Sequence, residues 1–333
     1  METSTRFYKP SVADYTQTDY SYEGCLKFVT KCVGVCRDKD LSKKDPNKFV
    51  HQLFDSGHTT PIELATMYLK IPNDIESLGK KFQHMITMLL ENKYGVKITK
   101  DILMIPFLYV YSYIQMIDDF NSKHVDEYLG FLNSITISNL TDNEGLEDFV
   151  RPERLTFLID TNIGTMREIN RYRTHSIVEQ STRYCNYSRD KGGIPFSVPC
   201  DMDYDYICSL EKKVTDEGVD WKEYNNTLEN VSSEEVKTHI NENMFVLTSL
   251  FSNNIYTTLV NDYNRKLDDV RWSLPLTTQT KAYHTATIRD WMHFIDQRMA
   301  NMSGKAHLDA QFIAKEVFKY VHSYMKMDRP NTK

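Results

Sequence analysis

The sequence predicts an α+β protein in which helix exceeds strand: a central, mainly antiparallel sheet flanked by helices, with a mostly helical insertion. Two short runs of β-favouring apolar residues, 65–71 and 154–160, indicate strands of that sheet. Between them, apolar residues from Ile75 to Leu90 recur at spacings of three and four, which is typical of an amphipathic helix.

Length, composition and charge limit the possible functions. The chain has 333 residues, of which 41% are hydrophobic and 26% are charged, as in a globular protein with a packed core. Its net charge of −6 argues against a nucleic-acid partner, because a general nucleic-acid coat needs a basic face for the phosphates. A local basic pocket for one small phosphorylated ligand is compatible with this charge.

Cysteine usage and hydropathy predict a cytoplasmic protein with neither a membrane span nor a metal. The six cysteines are few for this length, and the amino terminus lacks a charged-then-apolar signal pattern. Cys32 and Cys36 could form a metal-binding pair, but no second pair matches them, so we interpret them as core cysteines. The longest apolar run, residues 102–117, is shorter than the roughly 20 residues of a membrane span and indicates a buried element.

The remaining elements follow from capping residues and periodicity. Residues 1–24 are polar and rich in tyrosine, which predicts a loose arm or one draped over a partner. Asp45 begins a helix that ends near Phe54. Helices are also predicted at residues 162–171, 201–216, 232–264, 277–299 and 306–325, and a loop at residues 133–147.

Residues 167–191 concentrate positive charge in an acidic chain. A guanidinium pairs with phosphate through two parallel hydrogen bonds and keeps its charge when partly buried, so this stretch suits a nucleotide. A solvated helix face with ion pairs is the alternative, which composition alone favours because no glycine-rich phosphate loop is present. The five arginines are Arg167, Arg171, Arg173, Arg183 and Arg189, and Ser176, Glu179 and Ser181 add donors and acceptors beside them.

A second segment carries a histidine and a carboxylate around a proline. His58 and Glu63 bracket a helix start whose geometry is fixed by Pro61. Such a start attracts phosphate through its unpaired N–H groups. The plainer interpretation is helix capping by Thr59 or Thr60.

A third segment places polar residues on one face of an apolar helix. Arg289, His293 and either Asp296 or Gln297 lie three or four positions apart, so they share that face. Their apolar neighbours indicate a buried polar site rather than a solvated surface. A functional and a purely structural role remain open for this stripe.

Taken together and in this order, the three segments resemble the flavin-dependent thymidylate synthases. The resemblance covers roughly residues 25–71 and 154–320, and residues 185–191 are similar to a branch common in phages and bacteria. The family's signature is Arg-His-Arg, then Ser, then Glu-x-Ser-x-Arg-Tyr, with upstream His-x-Ser/Thr-Pro-x-Glu and downstream Arg-x-x-Leu-Pro elements. The corresponding residues here are Arg171 to Arg173, Ser176, Glu179 to Tyr184, His58 to Glu63, Arg271 to Leu276, and Arg289 and Arg298 on the closing helices.

The resemblance implies reductive methylation of dUMP to dTMP. Methylenetetrahydrofolate would give the carbon, and FAD reduced by NADPH would give the hydride. Because the flavin carries the hard step, the absence of a recognisable nucleophile-plus-base arrangement in the sequence is expected. The resemblance also implies a homo-oligomer, a tetramer with shared active sites, in the bacterial cytoplasm or, for a phage protein, that of the infected host.

By position, the resemblance assigns residues to two subsites. Arg298 and Ser181 are the expected catalytic residues, and Arg298 would lie against the pyrimidine, where positive charge stabilises the electron density that hydride brings. The dUMP subsite comprises Glu168, Glu179, Ser181, Thr182, Arg183, Arg271 and Arg298. The FAD subsite comprises His58, Thr60, Glu63, Arg171, Tyr172, Arg173, Thr287, Arg289 and His293.

Four positions depart from the family's pattern. Tyr172 replaces the central His of the signature, and a tyrosine cannot become cationic near neutral pH. Glu168 replaces a Gln that usually contacts the nucleotide, and its carboxylate needs a cationic partner such as Arg167 or Arg171. The other two departures are Val178 and Thr287, which both stand in place of Asn.

The largest departure is an insertion. In the family, the strand after the upstream element leads almost directly to the arginine motif, whereas residues 72–153 intervene here. We therefore predict an arm at residues 1–24, an α+β domain formed by residues 25–71 and 154–325, and an inserted helical lobe at residues 72–153. The lobe would cap the active site, extend an oligomer interface or bind a partner.

Two other functions remain open at this stage. The four departures are compatible with a related flavin- and folate-dependent modification, such as hydroxymethylation of the pyrimidine. A non-catalytic paralogue that binds nucleotide is the alternative from a different class.

Overall fold

Three sheets and the helices around them form the computed structural model, which describes residues 6–140, 151–190, 192–216, 238–299 and 304–327. The predicted α+β class is confirmed. The strands are β1 (Phe7–Tyr8), β2 (Ser11–Asp14), β3 (Thr66–Lys70), β4 (Val96–Lys97), β5 (Ile102–Pro106), β6 (Arg154–Asn162), β7 (Ser176–Glu179), β8 (Phe196–Ser197) and β9 (Gln279–Thr287).

The helices flank these sheets, and four short 3₁₀ helices join some of them within the described residues. The 3₁₀ helices are Gly34–Arg37, Thr60–Leu64, Ser122–His124 and Arg271–Ser273. The α-helices are α1 (Tyr22–Val33), α2 (Pro46–Asp55), α3 (Lys80–Leu90), α4 (Phe107–Asn121), α5 (Val125–Ile135), α6 (Ile163–Ile169), α7 (Tyr187–Asp190), α8 (Tyr204–Asp216), α9 (Ile240–Asn261), α10 (Leu267–Val270), α11 (Ile288–Met299) and α12 (Leu308–Met325).

The central sheet has the strand order β2-β6-β9-β7, and every neighbouring pair in it is antiparallel. β6 and β9 pair along their whole length, from Arg154 opposite Thr287 to Asn162 opposite Gln279. Helices α11 and α12 cover one face, where Trp291 packs on Phe157 and donates from Nε1 to Leu155 O at 3.0 Å. β7 therefore brings the arginine-rich motif directly beside β9.

The predicted helix at residues 277–299 is wrong in its first half. Residues Gln279–Thr287 form β9, and only Ile288–Met299 is helical. β9 is rich in threonine and pairs with strands on both sides, so almost all of it is buried. This long-range pairing overrides the local pattern that suggested a helix.

The prediction of a loose or partner-draped arm at residues 1–24 does not hold for residues 11–14, and its first five residues lie outside the described ranges. β2 forms the outer strand of the central sheet, with Val12 opposite Ile159. Tyr324 Oη donates to Asp14 Oδ2 at 2.8 Å, which ties this strand to α12. Because the partners of β2 lie far along the chain, the local composition gave no sign of the pairing.

The amino-terminal half has its own sheet and core. β5 pairs with β3 in antiparallel register, with Leu103 opposite Leu69. Both strands share a hydrophobic core with α1, α2, α3, α4 and α5. Residues 80–135 therefore pack onto residues 22–70 and are mainly helical, while the division into an α+β domain and an inserted lobe at residues 72–153 stays a prediction.

Several local predictions are confirmed with shifted limits. Asp45 caps α2 by accepting from the amides of Asn47 and Lys48, as its position before a proline predicts. The apolar run 102–117 divides into β5, which is buried, and the first part of α4, which is mostly buried as far as Ile114, whereas Met116 is exposed. Parts of two predictions, residues 141–147 of the loop and 232–237 of the helix, lie outside the described residues. Within the described ranges, no helix is both long and apolar enough to cross a bilayer.

Candidate functional site

An open cleft of about 750 Å³ lies where the end of β7 meets the segment that precedes β9. α10 and the 3₁₀ helix Arg271–Ser273 form one wall, and the turn after β7 forms the other. Five residues that the sequence analysis assigned to dUMP line this cleft: Glu179, Ser181, Thr182, Arg183 and Arg271. Arg167, Asp268 and Trp272 also line it.

Backbone hydrogen bonds fix the turn at residues 181–185. The amide of Ser181 donates to Cys36 O at 3.0 Å, and the amide of Cys185 donates back to Ser181 O at 3.1 Å. The amide of Arg183 donates to Ser181 Oγ at 3.3 Å. The side chains of Ser181 and Arg183 therefore enter the cleft from a backbone that is held at both ends.

Glu179 supplies a partly buried carboxylate to the cleft. Asn170 Nδ2 donates to its Oε2 at 2.7 Å, and Thr280 Oγ1 donates to its Oε1 at 3.1 Å. Burial raises the pKa of Glu179, while these two hydrogen bonds and the charge of Arg167 act in the opposite direction. The side chain is thus held in one orientation and keeps acceptor capacity toward the cleft.

Arg183 and Arg271 converge on one carboxylate. Arg183 reaches Asp268 with two nitrogens, Nε to Oδ1 at 3.2 Å and Nη2 to Oδ2 at 3.3 Å. Arg271 Nη1 lies 3.5 Å from the same Oδ1. The two guanidinium groups therefore converge on one acceptor, and each is about half exposed.

Glu168 and Arg298, the other two residues assigned to dUMP, do not line the cleft. Arg298 Nη1 lies 2.6 Å from Glu168 Oε1, and Nη2 donates to Glu168 O at 3.2 Å. The guanidinium carbon lies 5.3 Å from the centre of the Tyr172 ring. Glu168 is therefore paired with Arg298, and not with Arg167 or Arg171 as the sequence analysis suggested.

Six of the nine residues assigned to FAD are exposed, and Tyr172 belongs to the cluster around Arg298. Tyr172 contacts His293 with a ring-centre distance of 6.0 Å. Arg171, Arg173 and Arg289 are exposed and form no ion pair with the residues that the structure describes. The expectation of a buried polar stripe on α11 is wrong, because Arg289, His293 and Asp296 all face solvent while Trp291 and Phe294 fill the core.

The segment from His58 to Glu63 forms a short 3₁₀ helix, Thr60–Leu64. Thr59 occupies its N-cap position without a side-chain capping bond, so the predicted capping role is wrong for this residue. His58 is exposed and lies 3.0 Å from Ser56 Oγ through Nδ1. Thr60 is exposed as well.

A buried arginine links this 3₁₀ helix to the central sheet. Arg154 Nη1 donates to Glu63 O at 3.1 Å, and its Nη2 donates to Ser176 Oγ at 3.1 Å. Ser176 Oγ in turn donates to Glu63 Oε2 at 3.4 Å. Burial lowers the pKa of Arg154 to about 10, against the opposing effects of Tyr68 and Glu63. Glu63 and the arginine motif are thus held together by one charged side chain.

Two departures from the family's pattern have structural explanations. Val178 is buried in a small apolar cluster with Leu64 and Tyr283, where the amide of an asparagine would be costly to bury. Thr287 Oγ1 accepts from the amide of Asp290 at 3.1 Å and donates to its Oδ2 at 2.6 Å. Thr287 therefore caps the amino terminus of α11.

Two imidazoles are buried between the sheet and α11. The rings of His175 and His284 lie 5.8 Å apart, and the His175 ring lies 4.3 Å from that of Trp291. Burial lowers the pKa of His175 to about 4 and that of His284 well below its ordinary value of 6.5. Both rings are therefore neutral near pH 7.

Arg154, Asp268 and Trp272 belong to this region, and the sequence analysis did not single them out. Arg154 is a charge next to the apolar and β-favouring residues that begin β6, which is a signal for a buried and paired group. Asp268 lies three positions before Arg271, a spacing typical of an ion pair on one turn. No group of three or more potential metal-binding side chains is found within the described ranges.

Comparisons with known proteins point to one family. A protein-family model described as "Thymidylate synthase complementing protein" (Thy1) matches residues 132–325. A probable flavin-dependent thymidylate synthase of Paramecium bursaria Chlorella virus 1 is 36% identical over 70 residues, which are 19% of this chain and 32% of that protein. The chain thus spans about a third of the length of this curated relative.

Solved structures show weaker similarity. Thymidylate synthase X from Helicobacter pylori, with FAD and dUMP, is 20% identical over 53% of this chain and 72% of its own, with a TM-score of 0.32. The UMP/dUMP methylase PolB from Streptomyces cacaoi, with 5-Br UMP, is 13% identical over 96% of this chain and 91% of its own, with a TM-score of 0.39. The assignment rests on the family model, which covers more than half of the chain: this protein belongs to the Thy1 family, that of the flavin-dependent thymidylate synthases.

Proposed function

We propose that this protein catalyses the reductive methylation of dUMP to dTMP, with FAD as cofactor, methylenetetrahydrofolate as carbon donor and NADPH as reductant. The cleft between the turn at residues 181–185 and the 3₁₀ helix Arg271–Ser273 is the observation that carries this proposal. Two motifs that are far apart in the sequence meet there and place two guanidinium groups around one anion position. A nucleoside monophosphate fits that arrangement.

In this proposal the cleft binds the nucleotide at its two ends. Arg183 and Arg271 bind the phosphate, because their N–H groups already converge on a single acceptor. Ser181 and Thr182 offer hydroxyl groups on the same wall, and Glu179 accepts hydrogen bonds from the nucleoside. Trp272 is 70% exposed at the cleft, so its ring is available to a planar ligand.

The exposed residues assigned to FAD fit an anionic dinucleotide. Arg171, Arg173 and Arg289 have no competing ion pair within the described residues, so they are free to bind a pyrophosphate. His58, Thr60 and His293 add exposed polar groups, and Glu63 is anchored nearby by Arg154. When bound, the flavin supplies the hydride that converts the transferred carbon to a methyl group.

Arg298 is the proposed electrostatic group next to the pyrimidine. Its side chain is 14% exposed and is oriented by Glu168 on one side and by the Tyr172 ring on the other. Such an oriented positive charge stabilises electron density on a ring without reorganising during the reaction. Because Glu168 offsets much of this charge, the contribution of Arg298 is smaller than that of an unpaired guanidinium.

We also propose a homotetramer with shared active sites in a reducing cytoplasm. The cleft and the residues assigned to FAD are both open to solvent in the single chain, so a second subunit has room to cover them. All six cysteines are free thiols, which suits a reducing compartment. Mass photometry of the purified protein tests the tetramer directly.

The reaction is tested by incubating the purified protein with dUMP, methylenetetrahydrofolate, FAD and NADPH and weighing the nucleotide by mass spectrometry. We expect a product heavier than dUMP by one CH₂ unit, with consumption of NADPH. A product heavier by one CH₂O unit, formed without NADPH consumption, would establish hydroxymethylation instead. Parallel reactions with UMP and dUMP compare the two nucleotides that PolB is named for.

A non-catalytic paralogue predicts a different pattern. It would bind dUMP but give neither product, and it would not oxidise NADPH. The Arg298→Ala variant is the matched control for the catalytic assay, because it leaves the cleft residues in place. An active wild-type protein and an Arg298→Ala variant of equal activity would exclude the proposed role of Arg298.

A further inference from the structure

Asp268 occupies the position in the cleft where an anion binds. Its two carboxylate oxygens accept from the Nε and Nη2 of Arg183, the side-on arrangement in which arginine also binds phosphate. Arg271 approaches Oδ1 from the other side at 3.5 Å. One carboxylate therefore uses the N–H groups that a phosphate needs.

The backbone around Asp268 is anchored. Val270 is 2% exposed, and Leu267 packs against the core formed by α8 and α9. Asp268 itself is exposed in the cleft, and its neighbour Asp269 is exposed without an ion pair to the described residues. The position of Asp268 is thus set by the fold, whereas its side chain can leave the two arginines.

We propose that Asp268 is an internal anion that competes with the phosphate of the nucleotide for Arg183 and Arg271. In the empty cleft the carboxylate of Asp268 offsets the repulsion between the two guanidinium groups and holds them directed at one point. When phosphate binds, the carboxylate gives up these contacts and turns to solvent. This inference rests on the proposed function, since it assigns the phosphate of dUMP to this cleft.

The competition sets a threshold for occupancy of the cleft. An intramolecular carboxylate raises the concentration that any phosphate-bearing ligand needs, and half-exposed ion pairs of this kind account for a factor of about ten. Inorganic phosphate contacts only the two arginines. A tenfold loss of affinity therefore leaves the cleft free of inorganic phosphate when its concentration is low. A nucleotide also contacts the other wall and remains bound. Return of Asp268 to the arginines likewise favours release of the product.

The test compares Asp268→Asn with Asp269→Asn, which removes the same charge one residue away. Isothermal titration calorimetry of the full chain with inorganic phosphate and with dUMP measures the two affinities. We expect Asp268→Asn to bind both ligands about tenfold more tightly than the wild type. Asp269→Asn reports the long-range effect of one lost charge, and we expect it to stay within about twofold of the wild type.

Three outcomes separate the possibilities. Weaker or unchanged binding by Asp268→Asn, with an unchanged urea unfolding midpoint, overturns the inference, because a supporting role would weaken the site. If the wild type binds dUMP but this binding is insensitive to Arg183→Ala, the inference also fails, since the phosphate then binds outside the cleft. If neither the wild type nor Asp268→Asn binds dUMP or phosphate, the proposed function itself fails at this cleft.

Discussion

The two arginine clusters of this protein differ in how their charge is held. Arg183 and Arg271 stand about half exposed in an open cleft, where both contact the exposed Asp268. Arg298 is 14% exposed and is bound by both the side chain and the backbone of Glu168. Under the proposed function the first cluster exchanges its carboxylate for a ligand. The second is paired within the fold, although Arg298 Nε is buried without a hydrogen-bond partner among the described residues.

Under the proposed function, this difference corresponds to separate roles for the two clusters. Exposed ion pairs contribute little to stability, so the cleft can form and break them during binding. The Arg298–Glu168 pair is partly buried and is reinforced by a hydrogen bond from Arg298 Nη2 to Glu168 O, so the cluster around Arg298 keeps its geometry. Binding and orientation are therefore assigned to clusters with different burial, and four predictions test this comparison.

Acidification should lower the free energy of unfolding, because two histidines are buried in the fold. Above about pH 7.5 the two buried histidines are neutral in both the folded and the unfolded state, so their contribution to stability does not change there. Between pH 6.5 and about 4, His175 becomes protonated in the unfolded chain but stays neutral in the folded protein. The free energy of unfolding therefore falls as the pH falls. His175 alone accounts for about 3 kcal/mol over this range.

Urea unfolding at pH 7.5 and at pH 4.5 measures this loss. A His175→Gln variant removes the titrating group and should show a smaller pH dependence than the wild type. His322→Gln is the matched control, because His322 is exposed on α12. An identical pH dependence in wild type and His175→Gln would show that His175 is not the titrating group.

Removal of Arg183 should lower the affinity of the cleft for dUMP without changing the stability of the fold. Arg183→Ala removes a two-point partner of the phosphate, which corresponds to about 2 kcal/mol, or roughly 30-fold in the Kd for dUMP. Calorimetric titration with dUMP gives this value, and the unfolding midpoint should be unchanged. Arg265→Ala removes an exposed arginine outside the cleft and should leave the affinity unaltered. Equal affinities for the two variants would place the phosphate elsewhere.

Thr287 tests whether a departure from the family's pattern is structural. Thr287→Ala removes the N-cap of α11 and should cost about 1 kcal/mol in urea unfolding. Thr287→Asn restores the residue that is usual in the family and also caps helices well, so its stability should match the wild type. A stable Thr287→Ala variant would mean that the hydroxyl serves another purpose.

Glu168→Gln should have the smallest effect on stability. The amide can still accept a hydrogen bond from Arg298, while the ion pair is lost, which predicts a loss of about 0.5–1 kcal/mol. Glu316→Gln is the control, since it breaks a more exposed pair with Lys319 on α12 and should cost less. A loss above that of Thr287→Ala would show that the Glu168–Arg298 pair is more important to the fold than its partial exposure suggests.

The sequence predicted the parts of the site that lie within one segment. Arginine density marked residues 167–191, and the order of the motifs connected Arg183 with Arg271, which the structure places in one cleft. The capping of α2 by Asp45 was predictable because cap and helix are adjacent in the chain. The arginine density and the Asp45 cap depend on neighbouring residues alone, whereas the link between Arg183 and Arg271 came from the resemblance to the family.

The predictions that were wrong concern features that depend on contacts between distant segments of the chain. β9 was predicted as helix because its strand pairs, with Leu155 opposite Ala286 for example, join residues that are far apart in the chain. The exposure of Arg289 was missed for the same kind of reason, since the apolar face of α11 alone shows which side is buried but not how far burial extends. Asp268 was overlooked because its spacing from Arg271 predicts only a local ion pair, while its contact with Arg183 joins distant parts of the chain.

The outer position of β2 has a practical consequence for work with shortened chains. β2 covers the edge of β6 at four residues, from Asp14 opposite Phe157 to Ser11 opposite Asp160. A chain that lacks its first 14 residues would leave those N–H and C=O groups open to pairing with another molecule, which is a route to aggregation. The amino-terminal segment therefore protects the edge of β6 from pairing with another molecule. Shortened chains should retain this segment.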